Sequence, residues 1–229
     1  MKEGSPNLDK YTSFLERHSV HLSPSQCRLI TRFLDELLEW NKTFNLTGLG
    51  DRDLLIRHLV LDSLICAANL PTTGRLLDVG SGAGFPSVLV KIYSAGLEVN
   101  LLEPNRRKVS FLKNIKRVLC LRGFYVLRQR LEEHYPLNQS AYDALTVRGV
   151  KPAVELVGLV SPFLKDRGVV ALFLGREADH MDVLRDSATK AGLRLRQKIW
   201  YSLPGLQARR CLVLFQRMGK DALTSSAPA

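Results

Sequence analysis

The feature that most constrains this chain is a short apolar segment that runs directly into three alternate glycines. Leu76 to Val79 are predicted to form a buried strand, and Gly80, Gly82 and Gly84 follow it at once. Because glycine lacks a Cβ atom, a glycine-rich turn after a strand lets the backbone approach a ligand closely. The order of strand, glycine turn and helix therefore predicts a nucleoside-like ligand at this turn.

The spacing of the glycines separates two classes of ligand. A dinucleotide fingerprint, G-x-G-x-x-G, would need a glycine three residues after Gly82, where this chain has Phe85. A pyrophosphate also needs a helix N-terminus aimed at it, whereas S-adenosylmethionine has no phosphate and needs acceptors for its ammonium and ribose groups. Asp78 can supply negative charge, and Glu103, about twenty residues beyond the glycines, can accept hydrogen bonds from ribose hydroxyls. These features favour S-adenosylmethionine.

Short apolar strands alternate with amphipathic segments from Leu76 onward. The predicted strands are Leu76 to Val79, Leu97 to Leu102, Phe124 to Leu127, Ala144 to Val147, Val169 to Leu174, Arg194 to Trp200 and Cys211 to Gln216. The predicted helices are Pro86 to Ser94, Arg106 to Leu121, Pro152 to Phe163 and Ala178 to Ala191. This alternation predicts an α/β fold with a doubly wound, mostly parallel seven-stranded sheet that ends in a hairpin.

The first seventy residues are predicted to be helical. Ser23 is an N-cap, proline follows it, and Gln26 completes a capping box for a helix that should end near Asn41. A polar loop with interleaved aromatic residues is predicted from Trp40 to Gly48, and a second helix from Asp51 to about Asn69. We therefore divide the chain into a helical extension (1–70) packed on the core, an α/β domain (71–220) and a disordered tail (221–229).

Composition excludes several classes of protein. No apolar run approaches the roughly 18 residues that span a bilayer, and the polar N-terminal segment lacks the apolar stretch of a signal peptide. The four cysteines lie far apart without C-x-x-C spacing, so neither a zinc site nor a disulfide framework is predicted. We expect a cytoplasmic protein with no metal and no membrane contact, and we take a monomer as the default.

The positive charge of the chain is concentrated in two acid-free segments. Residues 104–131 contain nine lysine or arginine residues, residues 187–220 contain eight more, and neither segment has a carboxylate. The net charge is +11, and these segments hold about half of the lysine and arginine residues. A polyanion such as RNA would bind such a surface through phosphate contacts and counterion release. A basic but inert surface is the alternative interpretation.

Two pairs of residues fit either a structural or a functional role. His58 and Asp62 are spaced i,i+4 in a predicted helix, so they can face and satisfy each other, although histidine also suits catalysis or RNA orientation. Trp40 and Phe44 have the same spacing and fit either RNA stacking or packing of the extension onto the main domain.

Five motifs, taken in order and spacing, carry a resemblance to a known family. They are Asn41-Lys42-x-x-Asn45-Leu46-Thr47, Arg57-His58-x-x-x-Asp62-Ser63, the segment from Leu77 to Pro86, Arg130-x-Glu132-Glu133 and Tyr142-Asp143-x-x-x-x-Arg148. The chain resembles the bacterial 16S rRNA guanine-N7 methyltransferases of the RsmG (GidB) family from about Asn41 to Arg217. The resemblance implies a class I methyltransferase fold, S-adenosylmethionine as methyl donor, and 16S rRNA or the small ribosomal subunit as partner.

The resemblance also implies roles for individual residues. The turn itself contributes Asp78 and Gly82 to the cofactor-binding candidates, and the resemblance adds Gly80, Phe85, Glu103, Leu131, Glu132 and Arg148, with Leu131 and Glu132 at the adenine end and Arg148 where cofactor and target base meet. Among the RNA-binding candidates, Arg107 and Arg210 match basic positions of the family, Asn45 and His58 come from the residues themselves, and Arg176 is the residue that could replace an absent family lysine. One departure concerns the segment from Phe173 to Arg176, where the family usually has Leu-Lys-Gly. The lysine is absent, which leaves a base or RNA contact at this strand end open.

The implied reaction needs no general base. Guanine N7 carries an in-plane lone pair and no proton, so catalysis depends on in-line positioning and electrostatics. Arg148 is therefore the candidate for orienting the base.

Two other functions fit parts of the sequence. One is a methyltransferase for protein or a small molecule, which leaves the basic segments unexplained, and the other is an RNA-binding module with a degenerate cofactor fold. Intact Asp78, the three glycines and Glu103 count against the latter.

Overall fold

A seven-stranded sheet forms the centre of the protein. The computed structural model describes residues 8–149, 151–175 and 181–219. The strands are β1 (Gly74–Val79), β2 (Leu97–Leu102), β3 (Phe124–Leu127), β4 (Tyr142–Val147), β5 (Leu164–Leu174), β6 (Leu193–Ser202) and β7 (Arg209–Arg217). Their spatial order is β3-β2-β1-β4-β5-β7-β6, and only β7 runs antiparallel to its neighbours. The predicted doubly wound sheet with a terminal hairpin is confirmed.

Helices cover both faces of the sheet. They are α1 (Thr12–Arg17), α2 (Pro24–Phe44), α3 (Arg52–Leu55), α4 (Leu61–Ala68), α5 (Ser87–Tyr93), α6 (Arg106–Val118), α7 (Leu131–His134), α8 (Ala153–Val160) and α9 (Met181–Lys190). Short 3₁₀ turns add Leu8–Tyr11, Tyr135–Leu137 and Ser161–Phe163, and a π-helical turn, Ile56–Val60, joins α3 to α4.

Alternation along the strands produces two apolar cores. On β1, Leu76 packs with the N-terminal helices, α5 and α6, whereas its neighbour Leu77 packs on the other face with α8 and α9. Successive side chains of a strand point to opposite faces, so each strand of a sheet covered on both faces contributes to both cores. This is why the strands read as nearly continuous apolar runs.

The N-terminal helices and the sheet share one of these cores. Phe33 of α2 is fully buried, and its ring centroid lies 5.2 Å from that of Phe85 and 6.3 Å from that of Phe111. Gln26 completes the capping box of α2 and also donates hydrogen bonds to the carbonyls of Ile92 and Tyr93 at the end of α5. Helix α2 is therefore fixed directly over the helix that follows the glycine turn.

Helix α2 is longer than predicted. It continues through Phe44, and Asn45 ends it in the left-handed conformation (φ 44°), so the prediction of an end near Asn41 and a loop from Trp40 is wrong. The Trp40 ring packs 5.5 Å from Phe44 and 5.6 Å from Phe111. Tertiary packing of these aromatic residues holds the last turn in helical form despite its polar neighbours.

Several predictions concern absences or the chain end. Within the described ranges, no helix combines the length and apolar character needed to cross a membrane. The same residues contain no cluster of three or more His, Cys, Asp or Glu side chains suited to a metal ion. The predicted tail, residues 221–229, and the start of the helix predicted from Ala178 lie outside the described residues.

Candidate functional site

The glycine turn joins β1 to α5 and is hydrogen-bonded to the end of β2. Gly80, Gly82 and Gly84 have φ values of 71°, 58° and 92°, which other residues adopt only with strain. The backbone N–H groups of Gly80 and Ser81 both donate to the carbonyl of Leu102, at 2.9 and 3.1 Å. A Cβ atom added to Gly82 would meet no heavy atom nearer than 3.9 Å, whereas one on Gly84 would lie 2.6 Å from Val88. The absence of a side chain at Gly84 therefore allows Val88 to pack closely, whereas Gly82 faces open space.

Asp78 lies beneath this turn. The residue is 1% exposed, and Thr146 on the neighbouring strand β4 donates a hydrogen bond of 2.7 Å to its Oδ1 atom. Its Oδ2 atom is buried and has no hydrogen-bond partner among the described residues. Burial raises the pKa of Asp78 because the charged form loses solvation, and the hydroxyls of Ser87, Thr146 and Ser81 oppose that shift. The turn therefore holds one buried acceptor that a cation or a donor could satisfy.

Glu103 supports the same turn from the end of β2. Its two carboxylate oxygens each accept a backbone N–H at 2.8 Å, one from Gly82 and one from Asn105. Each oxygen has a further lone pair that can accept a ligand hydroxyl. Glu103 thus fixes the shape of the turn and also keeps acceptor capacity towards it.

A second group of polar residues is centred on the buried carboxylate of Asp62. Arg148 Nη2 donates to Asp62 Oδ2 and to the carbonyl of His58, both at 2.9 Å. Arg210 Nη1 donates to the same Asp62 oxygen and, at 3.3 Å, to the same carbonyl. The Tyr201 hydroxyl donates to Asp62 Oδ1 at 2.7 Å. One carboxylate therefore holds two arginines and a tyrosine.

The predicted side-chain pairing of His58 with Asp62 is wrong. The turn containing His58 is π-helical, which widens the helix, and Asp62 is instead satisfied by residues from β6, β7 and the end of β4. Single π-turns are frequent at functional sites, and here the turn presents the His58 carbonyl to two guanidinium groups. Burial and the neighbouring Arg210 and Arg57 lower the pKa of the His58 imidazole, which favours its neutral form.

The Asp62 group carries a net positive charge because two guanidinium groups share one carboxylate. Burial lowers the pKa of Arg148, and Asp62 opposes that shift; an arginine nevertheless stays protonated in a protein. Burial and Asp62 raise the pKa of Tyr201, so its hydroxyl remains a donor. Among the described residues, Arg148 Nη1 is buried without a hydrogen-bond partner. That atom is available to an acceptor on a ligand.

A cavity of about 720 Å³ opens beside the Asp62 group. Its lining combines arginines with aromatic rings: Asp62, Arg148, Gly149, Phe173, Leu174, Gly175, Trp200, Tyr201, Ala208, Arg209 and Arg210. Arg148 lies over the Phe173 ring at 5.2 Å, and Arg209 over the Trp200 ring at 4.6 Å. Leu174, where the resembling family usually has lysine, is 3% exposed. The cavity can accept a planar, electronegative ligand.

The structure does not bring the other cofactor candidates together in one cluster. Phe85 is 7% exposed, and its ring packs on Phe33 of α2. Leu131 and Glu132 begin α7 and line a separate cavity of about 380 Å³ with Tyr135 and Phe163 among its other residues. The described contacts do not join Leu131 or Glu132 to the glycine turn.

The RNA candidates form two groups. His58 and Arg210 meet at the Asp62 group, as described. Asn45 ends α2, where its side chain accepts the Gly48 N–H at 3.0 Å, and Arg107 begins α6 with its guanidinium 6.0 Å from the ring of Phe44. Arg107 thus lies near the C-terminal end of α2, which Asn45 caps, and among the described contacts neither residue hydrogen-bonds to the Asp62 group. Arg176 lies outside the described residues.

Sequence reasoning missed four residues of this site. Thr146, Tyr201, Trp200 and Arg209 were not singled out, although they contact Asp78, Asp62 or the cavity. Tyr201 is separated from Asp62 by 139 residues, and no local pattern indicates such a contact. Trp200 and Arg209 had one usable signal, since both fall in the acid-free segment of residues 187–220.

Comparison with known proteins gives one consistent result. The profile of the GidB family, described as rRNA small subunit methyltransferase G, matches residues 26–200. Ribosomal RNA small subunit methyltransferase G 1 of Syntrophobacter fumaroxidans is 35% identical over 219 residues, covering 94% of this chain and 99% of that protein. The corresponding Geobacter protein is 33% identical over 200 residues, covering 86% and 92%. In fold, M. jannaschii TYW2, crystallised with AdoMet, matches with a TM-score of 0.56 at 17% identity, covering 69% of this chain and 76% of that one.

Proposed function

Since the chain belongs to the GidB family of rRNA small subunit methyltransferases, we propose that it transfers a methyl group from S-adenosylmethionine to N7 of one guanine in 16S rRNA. One observation carries the proposal. Val79 and Val147 are paired in register on the parallel strands β1 and β4, so Gly80 and Arg148 leave adjacent strands at the same level, about 5 Å apart. The glycine turn and the arginine-lined cavity are therefore neighbours at the carboxyl edge of the sheet, where ligands bind in this class of fold.

The turn fits the chemistry of S-adenosylmethionine. The unpartnered Oδ2 atom of Asp78 suits the ammonium group, and a cation there would offset the effect of burial on the pKa of Asp78. The open space above Gly82 admits a ligand close to the backbone. Glu103 keeps acceptor capacity for ribose hydroxyls. When bound, the cofactor supplies an electrophilic methyl group on a sulfonium sulfur.

We assign the remaining cofactor contacts by the same resemblance. Gly80 and Phe85 line the pocket, and Leu131 and Glu132 contact the adenine end. The burial of Phe85 against Phe33 supports a role in shaping the pocket wall. Arg148 lies between the cofactor and the target base.

The residues beside the cavity suit an N7 nucleophile. Guanine N7 has no proton to lose, so no general base is required, and the reaction itself needs no metal. The methylated ring is positive, and a cation must therefore contact the O6 edge rather than N7. The free Nη1 atom of Arg148 can donate to O6 while Asp62 holds the rest of the guanidinium, which orients the base and supplies electrostatic stabilisation.

The basic surface supports an RNA partner, either 16S rRNA or the small ribosomal subunit. Arg210 contributes charge at the cavity, while Asn45 and Arg107 present a second contact region at the ends of α2 and α6. We propose RNA contacts for these residues and for His58 and Arg176. We further propose that a helical extension (1–70) is packed on a methyltransferase domain (71–220), and that the protein acts in the cytoplasm as a monomer.

Methyl transfer can be tested directly. Labelled S-adenosylmethionine is incubated with the purified protein and, separately, with small subunits, free rRNA and total cell protein, and labelled nucleotides are mapped. We expect label on N7 of a single guanine of the small-subunit RNA. Label in protein alone, or in no fraction, would contradict the proposal.

Two variants separate cofactor binding from transfer. Gly80→Asp should abolish S-adenosylmethionine binding measured by calorimetry, because a side chain at φ 71° strains and crowds the turn. Gly192→Asp is the matched control, since Gly192 has φ 73°, lies between α9 and β6, and a Cβ atom added there would meet no other atom within 4 Å. Arg148→Ala should retain most cofactor binding but lower kcat about 10²-fold. Equal loss of cofactor binding in Gly80→Asp and Arg148→Ala would show that this division of roles is wrong.

A further inference from the structure

The pair formed by Trp200 and Arg209 has no role in the proposed transfer. Trp200 lines the arginine cavity and is 38% exposed, although it is among the largest apolar side chains of the protein. The guanidinium of Arg209 lies 4.6 Å from its ring centroid. By contrast, Trp40, the other tryptophan, is partly buried and packs on Phe111 against the core. Trp200 is therefore a solvent-exposed aromatic side chain at a basic cavity.

The position of Trp200 in the sheet separates it from the target base. Arg148 follows β4, and Trp200 lies on β6, which is three strands away in the order β4-β5-β7-β6. Trp200 pairs with Cys211, and Cys211 pairs with Leu174. Trp200 therefore lies level with the end of β5, at the same edge of the sheet as Arg148. With neighbouring strands about 4.8 Å apart, the separation is about 14 Å. The backbones of Arg148 and Trp200 therefore lie at opposite sides of the cavity that both residues line.

We propose that Trp200 stacks on an unpaired base of the RNA that flanks the target guanine, with Arg209 fixing the indole and adding positive charge beside it. This inference rests on the proposed RNA substrate and names a further contact for it. An enzyme that acts on a base must extract that base from its stack, and contacts with flanking nucleotides stabilise the extracted state. Stacking on an aromatic side chain tolerates any base, because every base has a π-face.

The surroundings favour a nucleic acid over a peptide as occupant. Trp200 and Arg209 belong to the acid-free segment of residues 187–220, and Arg209 and Arg210 are adjacent on β7. Guanidinium groups beside aromatic rings recur where proteins bind single-stranded nucleic acid, because they combine phosphate attraction with cation–π stabilisation of the stack. Asp62 is the sole carboxylate in the cavity lining among the described residues, and two arginines neutralise it.

Fluorescence tests the stacking contact. In the Trp40→Phe variant Trp200 is the remaining tryptophan, so its emission reports on the cavity. Titration with a short single-stranded oligoadenylate RNA, which contains no guanine, should quench this emission in a saturable manner. Unchanged emission at concentrations of oligoadenylate that saturate binding would overturn the inference.

Kinetics tests the contribution to the reaction. With small subunits as substrate, Trp200→Leu should raise KM about tenfold or more and change kcat little, because ring stacking is lost but apolar bulk is kept. Trp200→Phe keeps a stacking ring and should stay within about threefold of wild type. Equal KM values for wild type and Trp200→Leu, with both variants folded by circular dichroism, would overturn the inference while leaving the proposed function intact. Failure of the wild type to methylate both small subunits and free rRNA would instead contradict the proposed function, and the oligoadenylate titration would still decide the stacking contact.

Discussion

At the scale of single residues, Asp62 organises the site more than any catalytic candidate does. It is 1% exposed and binds Arg148, Arg210 and Tyr201 at once. A buried charge is costly unless it is fully paired, and here the pairing also fixes the direction of both guanidinium groups. Asp62 is thus a positioning residue, since it acts through the arginines rather than on the base.

We expect Asp62→Asn to impair the site more than loss of the tyrosine hydroxyl does. The amide cannot neutralise two buried guanidinium groups, and breaking such a pair costs about 3–5 kcal/mol in the free energy of unfolding. Tyr201→Phe removes one hydrogen bond to a charged acceptor and should cost about 1.5–3 kcal/mol. Urea denaturation gives both values, and KM for small subunits should rise further in Asp62→Asn. A larger effect of Tyr201→Phe on both quantities would mean that Asp62 does not hold the arginines.

Local sequence patterns predicted the residues of the glycine turn but not the partners of Asp62. Gly82, Asp78 and Glu103 were identifiable because the strand, turn and acidic residue follow one another at short, regular spacing. The partners of Asp62 could not be found in this way, since Arg148 and Tyr201 lie 86 and 139 residues away. Spacing suggested His58 instead, because an i,i+4 rule assumes an α-helix, and the π-helical turn breaks that assumption.

At the scale of elements, the strands were predictable and the helix ends were less so. The apolar runs of a doubly covered parallel sheet are visible in sequence, and β2 and β3 have the predicted bounds. The end of α2 depends on packing of Trp40 against Phe111 of α6, which is a tertiary contact. The short helix α7 was not predicted at all, and it depends on a buried histidine.

His134 should make stability depend on pH through α7. It is 6% exposed, its Nε2 atom lies 2.7 Å from the Tyr142 hydroxyl, and its ring stacks on Phe163. Burial and Arg75 lower its pKa from 6.5, so the unfolded state binds the proton more readily than the folded state. The contribution of the neutral ring to stability is therefore fully present above pH 6.5 and is lost as the pH falls below that value towards the lowered folded-state pKa.

We therefore expect the free energy of unfolding to fall between about pH 7 and pH 5, and to fall less steeply in His134→Gln, which cannot titrate there. The control is Phe163→Leu, which weakens the same packing but keeps the histidine and should keep the wild-type slope. Urea denaturation at several pH values measures these slopes. Identical slopes for His134→Gln and wild type would assign the acid sensitivity to other groups.

At the scale of the whole molecule, unpaired positive charge is concentrated in the segment that contains α6 and the turn after it. Most cations of residues 104–131 are exposed, and in the described part of the chain none forms an ion pair with a carboxylate. By contrast, Lys165 at the start of β5 pairs with Asp143 at 2.8 Å. Unpaired cations thus accumulate on α6, the helix that follows the predicted ribose-binding residue, and on the turn after it, where a polyanion can contact them.

Salt dependence tests whether this surface contacts phosphates. Each phosphate-bound cation contributes about 0.7–0.9 to the slope of log affinity against log salt concentration. Replacing the exposed Arg106, Lys113 and Arg122 with glutamine should therefore lower the slope for binding of 16S rRNA by up to about 2–3. Lys165→Gln removes a cation that is already paired and should leave the slope unchanged. The measurement is RNA affinity across a series of potassium chloride concentrations. An equal slope in the triple variant and wild type would remove α6 and the following turn from the RNA-binding surface, and binding would then depend on the cavity and β7.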